Sequence, residues 1–114
     1  MDVHSLPVWL INLDRAKERR LQMEERLGTL GLEYKRFQAI DGRKDWDRLR
    51  PSVDISAFRR NVGRDVMPGE IGASHSHLEV WRQLAASDFE IGLVLEDDVV
   101  FHEDFIEAVD AALS

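Results

Sequence analysis

The sequence predicts an α/β fold in which helices flank a mainly parallel sheet. Short apolar runs rich in β-branched residues alternate with amphipathic helical patterns, in the order β-α-β, an irregular stretch, then α-β-α. The 114 residues allow one domain with a modest core, and no repeat or linker divides residues 1–114. We therefore expect one domain whose ligand site lies outside the carboxyl ends of the strands.

The first half of the chain predicts a strand, a helix and a second strand. Residues 8–11 form an apolar run, and the helical periodicity after it brings Met23 and Leu27 to one face. Asp14 is expected to cap the start of this helix and Gly31 to end it. Residues 34–40 have strand-like composition and end at a turn signal, Asp41-Gly42. This β-α-β order predicts a right-handed parallel crossover.

The second half is less regular at first. Residues 43–67 show a short helical pattern before Pro51 and then apolar positions without one clear period. Pro68 opens a strong helix with two adjacent apolar stripes, which predicts a deeply packed helix. The stripes are Ala73, His77, Val80 and Leu84, and Ile71, Leu78, Trp81 and Ala85. A buried strand beginning at Ile91 and a last amphipathic helix, started near Glu103 and Asp104, complete the chain.

Composition restricts the function and the compartment. The net charge of −7 argues against a nucleic-acid surface or a polybasic membrane anchor. The absence of cysteine excludes disulfides and thiolate metal sites, and it fits a cytoplasmic location. The N-terminus lacks a signal-peptide pattern, and no apolar run is long enough for a membrane helix. Membrane contact is therefore expected to be peripheral at most.

Three consecutive acids, Glu96-Asp97-Asp98, end the last apolar strand. Because strand side chains alternate, Glu96 and Asp98 should share a side and Asp97 should point away. Two carboxylates on one side can bind a divalent cation that also bridges phosphate oxygens. The alternative is a solvated strand end that also caps the last helix, and composition alone leaves both interpretations open.

Arg15 and Arg19 lie one helical turn apart near the start of the first helix. The helix dipole does not favour cations there, so a ligand phosphate held by both would compensate. An exposed, charged helix face is the alternative. His75 and His77 are two residues apart on a helix, point in nearly opposite directions and should not share a metal ion.

Four segments in order resemble glycosyltransferase family 25, the family of lipooligosaccharide-type and collagen-type galactosyltransferases. They are residues 8–15 with Arg19, residues 37–42, residues 69–72 with 76–78 and 81–82, and residues 93–99. The resemblance implies a three-layer, GT-A-like (Rossmann-like) fold and hexose transfer, typically from UDP-galactose, to a glycan such as lipopolysaccharide or lipooligosaccharide. It also implies Mn²⁺ (or Mg²⁺) as cofactor.

The resemblance also assigns residues to roles. Asp98 and then Glu96 would be the metal ligands, and the donor would be bound by Asn12, Leu13, Arg15, Arg19, Asp41, Gly42, Ser76, His77 and Asp97. Ala73 and His75 depart from the family pattern without touching the acids. Only sixteen residues follow Asp98, so the fold is expected to be truncated relative to family members, without an assignable catalytic base. A non-catalytic nucleotide-sugar-binding or association module, such as a homodimer, is the alternative.

Overall fold

The computed structural model describes all residues from 1 to 114 and contains three strands and five helices. In chain order they are β1 (Val8–Asn12), α1 (Lys17–Thr29), β2 (Lys35–Gln38), α2 (Trp46–Leu49), α3 (Ile55–Val62), α4 (Pro68–Ala85), β3 (Leu93–Glu96) and α5 (Phe105–Leu113). Short 3-10 turns occupy Val3–Ser5 and Arg50–Ser52.

The strands form one parallel sheet in the order β2-β1-β3. The central residue Leu10 pairs with Arg36 on one side and with Leu95 on the other. All five residues of β1 are buried, as expected for a central strand covered on both faces. The prediction of an α/β fold with a parallel sheet is confirmed. The carboxyl ends of all three strands lie at one edge of the sheet.

Side-chain alternation along β1 divides the core into two faces. Val8 and Leu10 pack with Met23 and Leu27 of α1, in a cluster that α5 also covers. On the opposite face, Trp9 and Ile11 pack against α4. The result is three layers, with α1 and α5 on one side of the sheet and α4 on the other.

The start of α1 differs from the prediction. The cap position is Ala16, and Asp14 makes no capping hydrogen bond. Its carboxylate instead accepts hydrogen bonds from Arg36 and Gln38 of β2, because the loop after β1 turns Asp14 toward the neighbouring strand. The helix end agrees with the prediction: Gly31 has φ 68°, a left-handed conformation that glycine adopts without strain.

The irregular stretch contains more structure than the sequence pattern indicates. After α2, helix α3 is capped by Asp54, whose side chain accepts a hydrogen bond from the Ala57 amide at 3.0 Å, and it ends at Gly63 with φ 82°. Leu49, Val66 and Ile71 then form a third apolar cluster. This stretch therefore packs against the beginning of α4.

Each apolar stripe on α4 is packed only in part. Val80 and Ile71 are buried, whereas Leu78 and Trp81 are 37% and 58% exposed. The expectation of a deeply packed helix is therefore wrong for Leu78 and Trp81, because a three-stranded sheet covers α4 on one side only. No helix, α4 included, is both long and apolar enough to cross a membrane.

Candidate functional site

A cleft of about 480 Å³ lies over the carboxyl ends of the three strands. The loops after β1, β2 and β3 line it together with the start of α4. Nine of the eleven predicted site residues line this cleft: Leu13, Arg15, Arg19, Asp41, Gly42, Ser76, Glu96, Asp97 and Asp98. The other two, Asn12 and His77, lie behind it and contact residues that line it.

The acids at the end of β3 have three different environments. Glu96 ends the strand on the α4 side, where its carboxylate lies 3.0 Å from His77 Nε2. Asp97 points to the opposite side, as alternation predicts, and accepts a hydrogen bond from Asn12 Nδ2 at 2.7 Å. Both nevertheless reach the cleft, because it lies over the strand end between the two helix layers.

Asp98 is exposed and has neither a hydrogen bond nor an ion pair within the protein. The alternative in which the three acids cap the last helix is wrong, since the cap position of α5 is Asp104. The segment Glu96-Asp97-Asp98, which we call the acidic turn, therefore has no capping role. Asp98 presents a carboxylate without a protein partner to the cleft.

Asn12 supports the acidic turn from below. It is 1% exposed, and its amide nitrogen donates to Asp97 Oδ2 and to the Ala16 carbonyl oxygen. Its amide oxygen accepts from Arg36 Nε at 3.1 Å. Every hydrogen-bonding atom of this buried side chain thus has a partner, as buried polar groups require.

Both predicted arginines face the cleft, and each has an acidic partner. Arg15 forms an ion pair with Asp41, which joins the loops after β1 and β2. Arg19 lies 3.6 Å from Asp97 Oδ1. Their side chains remain 53% and 62% exposed, so both are accessible to a ligand. A second cavity of about 410 Å³ adjoins the first, with the Arg15–Asp41 pair in the wall of both.

Two glycines allow the loop after β2 to lie directly on α4. A Cβ on Gly42 would overlap the Pro68 carbonyl oxygen, and a Cβ on Gly72 would lie 2.5 Å from the Ile40 carbonyl oxygen. The buried Ser76 hydroxyl joins the same segments, because it accepts from the Ile40 amide at 2.9 Å and donates to the Gly72 carbonyl oxygen at 2.8 Å. These residues set the distance between the wall formed by Asp41 and the wall formed by α4.

Glu70 fixes the beginning of α4 at the cleft. Its carboxylate accepts two hydrogen bonds from Arg64, at 2.8 and 2.9 Å, and one from the Met67 amide at 2.8 Å. These hydrogen bonds lower the pKa of Glu70 from 4.5 to about 2, and those from Arg64 have the largest effect. Glu70 is therefore ionised at neutral pH and is already engaged by the protein.

The two histidines have separate partners. His75 Nε2 lies 3.0 Å from the Ser52 hydroxyl, whereas His77 contacts Glu96 and packs edge-to-face against Trp81. The two side chains therefore contact different parts of the protein. His77 is hydrogen-bonded and 29% exposed.

No three His, Cys, Asp or Glu side chains are grouped closely enough to hold a metal ion by themselves. The carboxylates at the cleft are nonetheless the oxygen ligands that Mn²⁺ and Mg²⁺ use. Mg²⁺ in particular is often held by one or two carboxylates together with phosphate oxygens of a bound substrate. The donor set therefore fits a cation shared with a phosphate-bearing ligand.

Residues 5–114 match the family model described as glycosyltransferase family 25 (LPS biosynthesis protein). The chain belongs to glycosyltransferase family 25. The match covers nearly the whole chain, so all three strand ends and the acidic turn fall within the family region.

Several curated relatives are about one third identical to this family 25 chain. A glycosyltransferase 25 family member of Aedes aegypti is 34% identical over 102 residues, which are 86% of this chain and 17% of the relative. Procollagen galactosyltransferase 2 of Mus musculus is 34% identical over 106 residues, covering 86% and 16%. A putative glycosyltransferase of Acanthamoeba polyphaga mimivirus is 34% identical over 108 residues, covering 92% and 32%. The chain thus spans between about one sixth and one third of these relatives.

Sequence reasoning missed two residues that matter to this site. Arg43 lines the cleft, and Arg36 contacts Asn12 behind it. Arg36 could have been noticed because it is a charged residue inside a strand-like run, and arginine is rarely buried unless it has a partner. Nothing in the local pattern around Arg43 distinguishes it from a solvent-exposed loop arginine.

Proposed function

We propose that this chain is the donor-binding part of a glycosyltransferase that transfers a hexose, galactose from UDP-galactose, to a glycan acceptor. The observation that carries the proposal is the convergence of the three strand ends on one cleft, whose lining includes both arginines and the acidic turn. Family membership supplies the reaction class. A cleft of about 480 Å³ also lies within the range of about 300–1,000 Å³ typical of ligand pockets.

The charges of the cleft favour an anionic ligand that arrives with a cation. Three arginines and five acids line it, and one of the acids, Glu70, is balanced by Arg64 outside the lining. Four acids against three arginines leave an excess of negative charge, which would repel a bare diphosphate. A divalent cation reverses that excess, so we expect donor binding to depend on Mn²⁺ or Mg²⁺.

Arg15, in the loop after β1, and Arg19, in the first turn of α1, can exchange partners when a phosphate binds. Arg15 is paired with Asp41 and Arg19 lies near Asp97, and all four side chains line the cleft. A diphosphate would offer each guanidinium a charge-assisted hydrogen bond in place of the carboxylate. Since the Arg15–Asp41 pair borders both cavities, a ligand that extends from one to the other would lie against it.

Asp98, with Glu96, would hold the cation on the protein side. Asp98 has no competing partner, whereas Glu96 must share its carboxylate with His77. A cation bound there would supply positive charge for the diphosphate that leaves when the sugar is transferred. The chain's own residues would orient the donor and fix the acidic turn, and no residue is assigned as the base that deprotonates the acceptor.

We place the acceptor among lipopolysaccharide or lipooligosaccharide glycans because the matching family model is described by that biosynthesis. The mouse relative is named for procollagen, so the two acceptor classes need separate assays. We propose the cytoplasm as the compartment, since the chain has no cysteine and needs no disulfide.

Ligand-induced stabilisation tests the donor site directly. At a concentration of 100 times Kd, UDP-galactose with Mn²⁺ should stabilise the fold by about 2.7 kcal/mol, measured as a rise in melting temperature. Asp98→Asn should abolish the rise, while Asp88→Asn, a matched change at an exposed acid outside the cleft, should retain it. No rise in the wild-type protein, with or without Mn²⁺, would refute donor binding by this chain.

An association module is the second candidate, and the surface of α4 favours it. Leu78 and Trp81 are exposed there, and β3 has one edge without a neighbouring strand. Exposed strand edges and apolar faces promote pairing between chains. Light scattering from micromolar to millimolar concentration should show a dimer if this candidate is right, and a constant monomer mass rejects it.

A further inference from the structure

We propose that Arg36 on β2 is a positioning residue: it fixes the orientation of the Asn12 amide and, through it, the Asp97 carboxylate in the cleft. Arg36 does not line the cleft and lies two strands away from the acidic turn. The link to ligand affinity rests on the proposed donor site. The orientation of the Asn12 amide can be tested whether or not a ligand binds.

The Arg36 guanidinium makes two contacts with the same residue. Its Nε donates to Asn12 Oδ1 at 3.1 Å, and one terminal nitrogen donates to the Asn12 backbone oxygen at 3.0 Å. The Arg36 side chain is only 19% exposed, and Asn12 is buried. The planar, multiply donating guanidinium is thus held against both acceptors of one buried asparagine.

An asparagine amide has two unlike ends, and this is why the contact matters. The oxygen only accepts and the nitrogen only donates. With Arg36 donating to the oxygen, the nitrogen faces Asp97 Oδ2 at 2.7 Å and the Ala16 carbonyl oxygen at 3.1 Å. A rotated amide would place its oxygen against the Asp97 carboxylate and would leave buried groups unpaired, which is costly.

Arg36 is itself held in place by the loop after β1. A terminal nitrogen donates to Asp14 Oδ1 at 2.8 Å, and Gln38 Nε2 donates to Asp14 Oδ2 at 2.6 Å. A continuous series of side-chain hydrogen bonds therefore runs from Gln38 through Asp14, Arg36 and Asn12 to Asp97 of the acidic turn. This series explains why Asp14 faces β2 instead of capping α1.

The other end of the series reaches the cleft. Asp97 Oδ2 is fixed by Asn12, so Oδ1 is directed to Arg19 at 3.6 Å. Asp98 follows Asp97 directly in the turn, so we expect the same anchor to hold its backbone. Loss of the Arg36 contact should therefore change how two ligand-facing residues are presented, although neither is touched by Arg36.

The orientation is tested first in the absence of ligand. The side-chain NH₂ of Asn12 should give two distinct, slowly exchanging proton signals in the NMR spectrum of the wild-type protein. In Arg36→Met, which keeps length but removes the donors, exchange should become at least about fivefold faster. Lys35→Met is the matched control, since Lys35 is the exposed neighbour on β2 without a side-chain hydrogen bond or ion pair, and it should leave the signals unchanged.

Affinity for UDP-galactose with Mn²⁺ then tests the consequence by calorimetry. Supporting residues of this kind typically change affinity by about 10–100-fold, and we expect Arg36→Met to fall in that range. Because Arg36 acts through Asn12, adding Arg36→Met to Asn12→Ala should cause little further loss. Arg36→Lys, which keeps the charge without the planar donor group, should remain close to Arg36→Met.

Three results would overturn the proposal. The first is an unchanged proton exchange rate of the Asn12 NH₂ group in Arg36→Met. The second is a double variant in which the affinity losses of Arg36→Met and Asn12→Ala multiply. The third is full affinity in Arg36→Lys, which would mean that charge alone matters. If the wild-type protein binds no donor, the proposed function fails, while the NMR comparison still decides whether Arg36 orients Asn12.

Discussion

Replacing Gly42 by alanine should separate the two walls of the cleft. A Cβ at Gly42 would overlap the Pro68 carbonyl oxygen and lie 2.6 Å from its carbonyl carbon and 3.0 Å from the Gly72 nitrogen. These are backbone atoms, so no side-chain rotation can relieve the clash. Overpacking typically costs about 1–3 kcal/mol, and a clash with main-chain atoms should fall at the upper end. For a chain of this length, about 3 kcal/mol corresponds to roughly 10 °C in melting temperature.

A second glycine provides the matched control. Gly28 lies within α1, and a Cβ there would meet nothing within 4 Å. Gly28→Ala should therefore raise stability by up to about 1 kcal/mol, because alanine is the better helix former. Urea or thermal unfolding should show that Gly42→Ala lowers the stability of the protein and that Gly28→Ala raises it. If Gly42→Ala were as stable as Gly28→Ala, the close backbone contact between the β2 loop and α4 would not exist in solution.

Three further predictions concern stability. The lowered pKa of Glu70 means that its contribution to folding stability is present above pH 4.5 and is lost as the pH falls toward about 2. In Glu70→Gln, the stability measured by urea unfolding should therefore depend less on pH over that interval. Ser76→Ala removes the hydroxyl partner of the partly buried Ile40 amide and should cost about 1–3 kcal/mol, whereas Ser74→Ala, at an exposed position of the same helix, should change little. Trp9→Ala, at a buried position, should lower the free energy of unfolding by about 3–5 kcal/mol. Trp81→Ala, at an exposed position, should lower it by less than about 1 kcal/mol, and thermal unfolding measures both changes.

The sheet and the long helices were predictable because burial imposes a period on the sequence. Residues 8–11 are continuously apolar since β1 is covered on both faces, and Met23 and Leu27 recur at helical spacing since one face of α1 meets the sheet. The location of the cleft followed from the parallel order alone, because the carboxyl ends of parallel strands meet at one edge. These features depend on local pattern and simple topology.

Features that depend on tertiary partners were not predictable. Helix α3 spans only eight residues, so its helically spaced apolar residues Ile55, Phe58 and Val62 cover about two turns, too few to stand out in the surrounding sequence. Its ends are marked by Asp54 and Gly63, which are common turn residues elsewhere. Asp14 has the composition of a helix cap and binds β2 instead. The exposure of Trp81 depends on how many strands the sheet has, which the amphipathic pattern of α4 does not encode.

The residues that resemble the family pattern divide into those that face the cleft freely and those that hold its walls. Gly72 and Ser76 join the loop after β2 to α4, and Asn12 anchors the acidic turn from a fully buried position. Loss of donor binding after changing any of these three would report a displaced wall, so it could not identify a ligand contact. Asp98 differs because no protein group depends on its carboxylate. Asp98→Asn should therefore leave unfolding in the absence of ligand unchanged, and a selective loss of the Mn²⁺-dependent stabilisation would attribute the effect to the ligand itself.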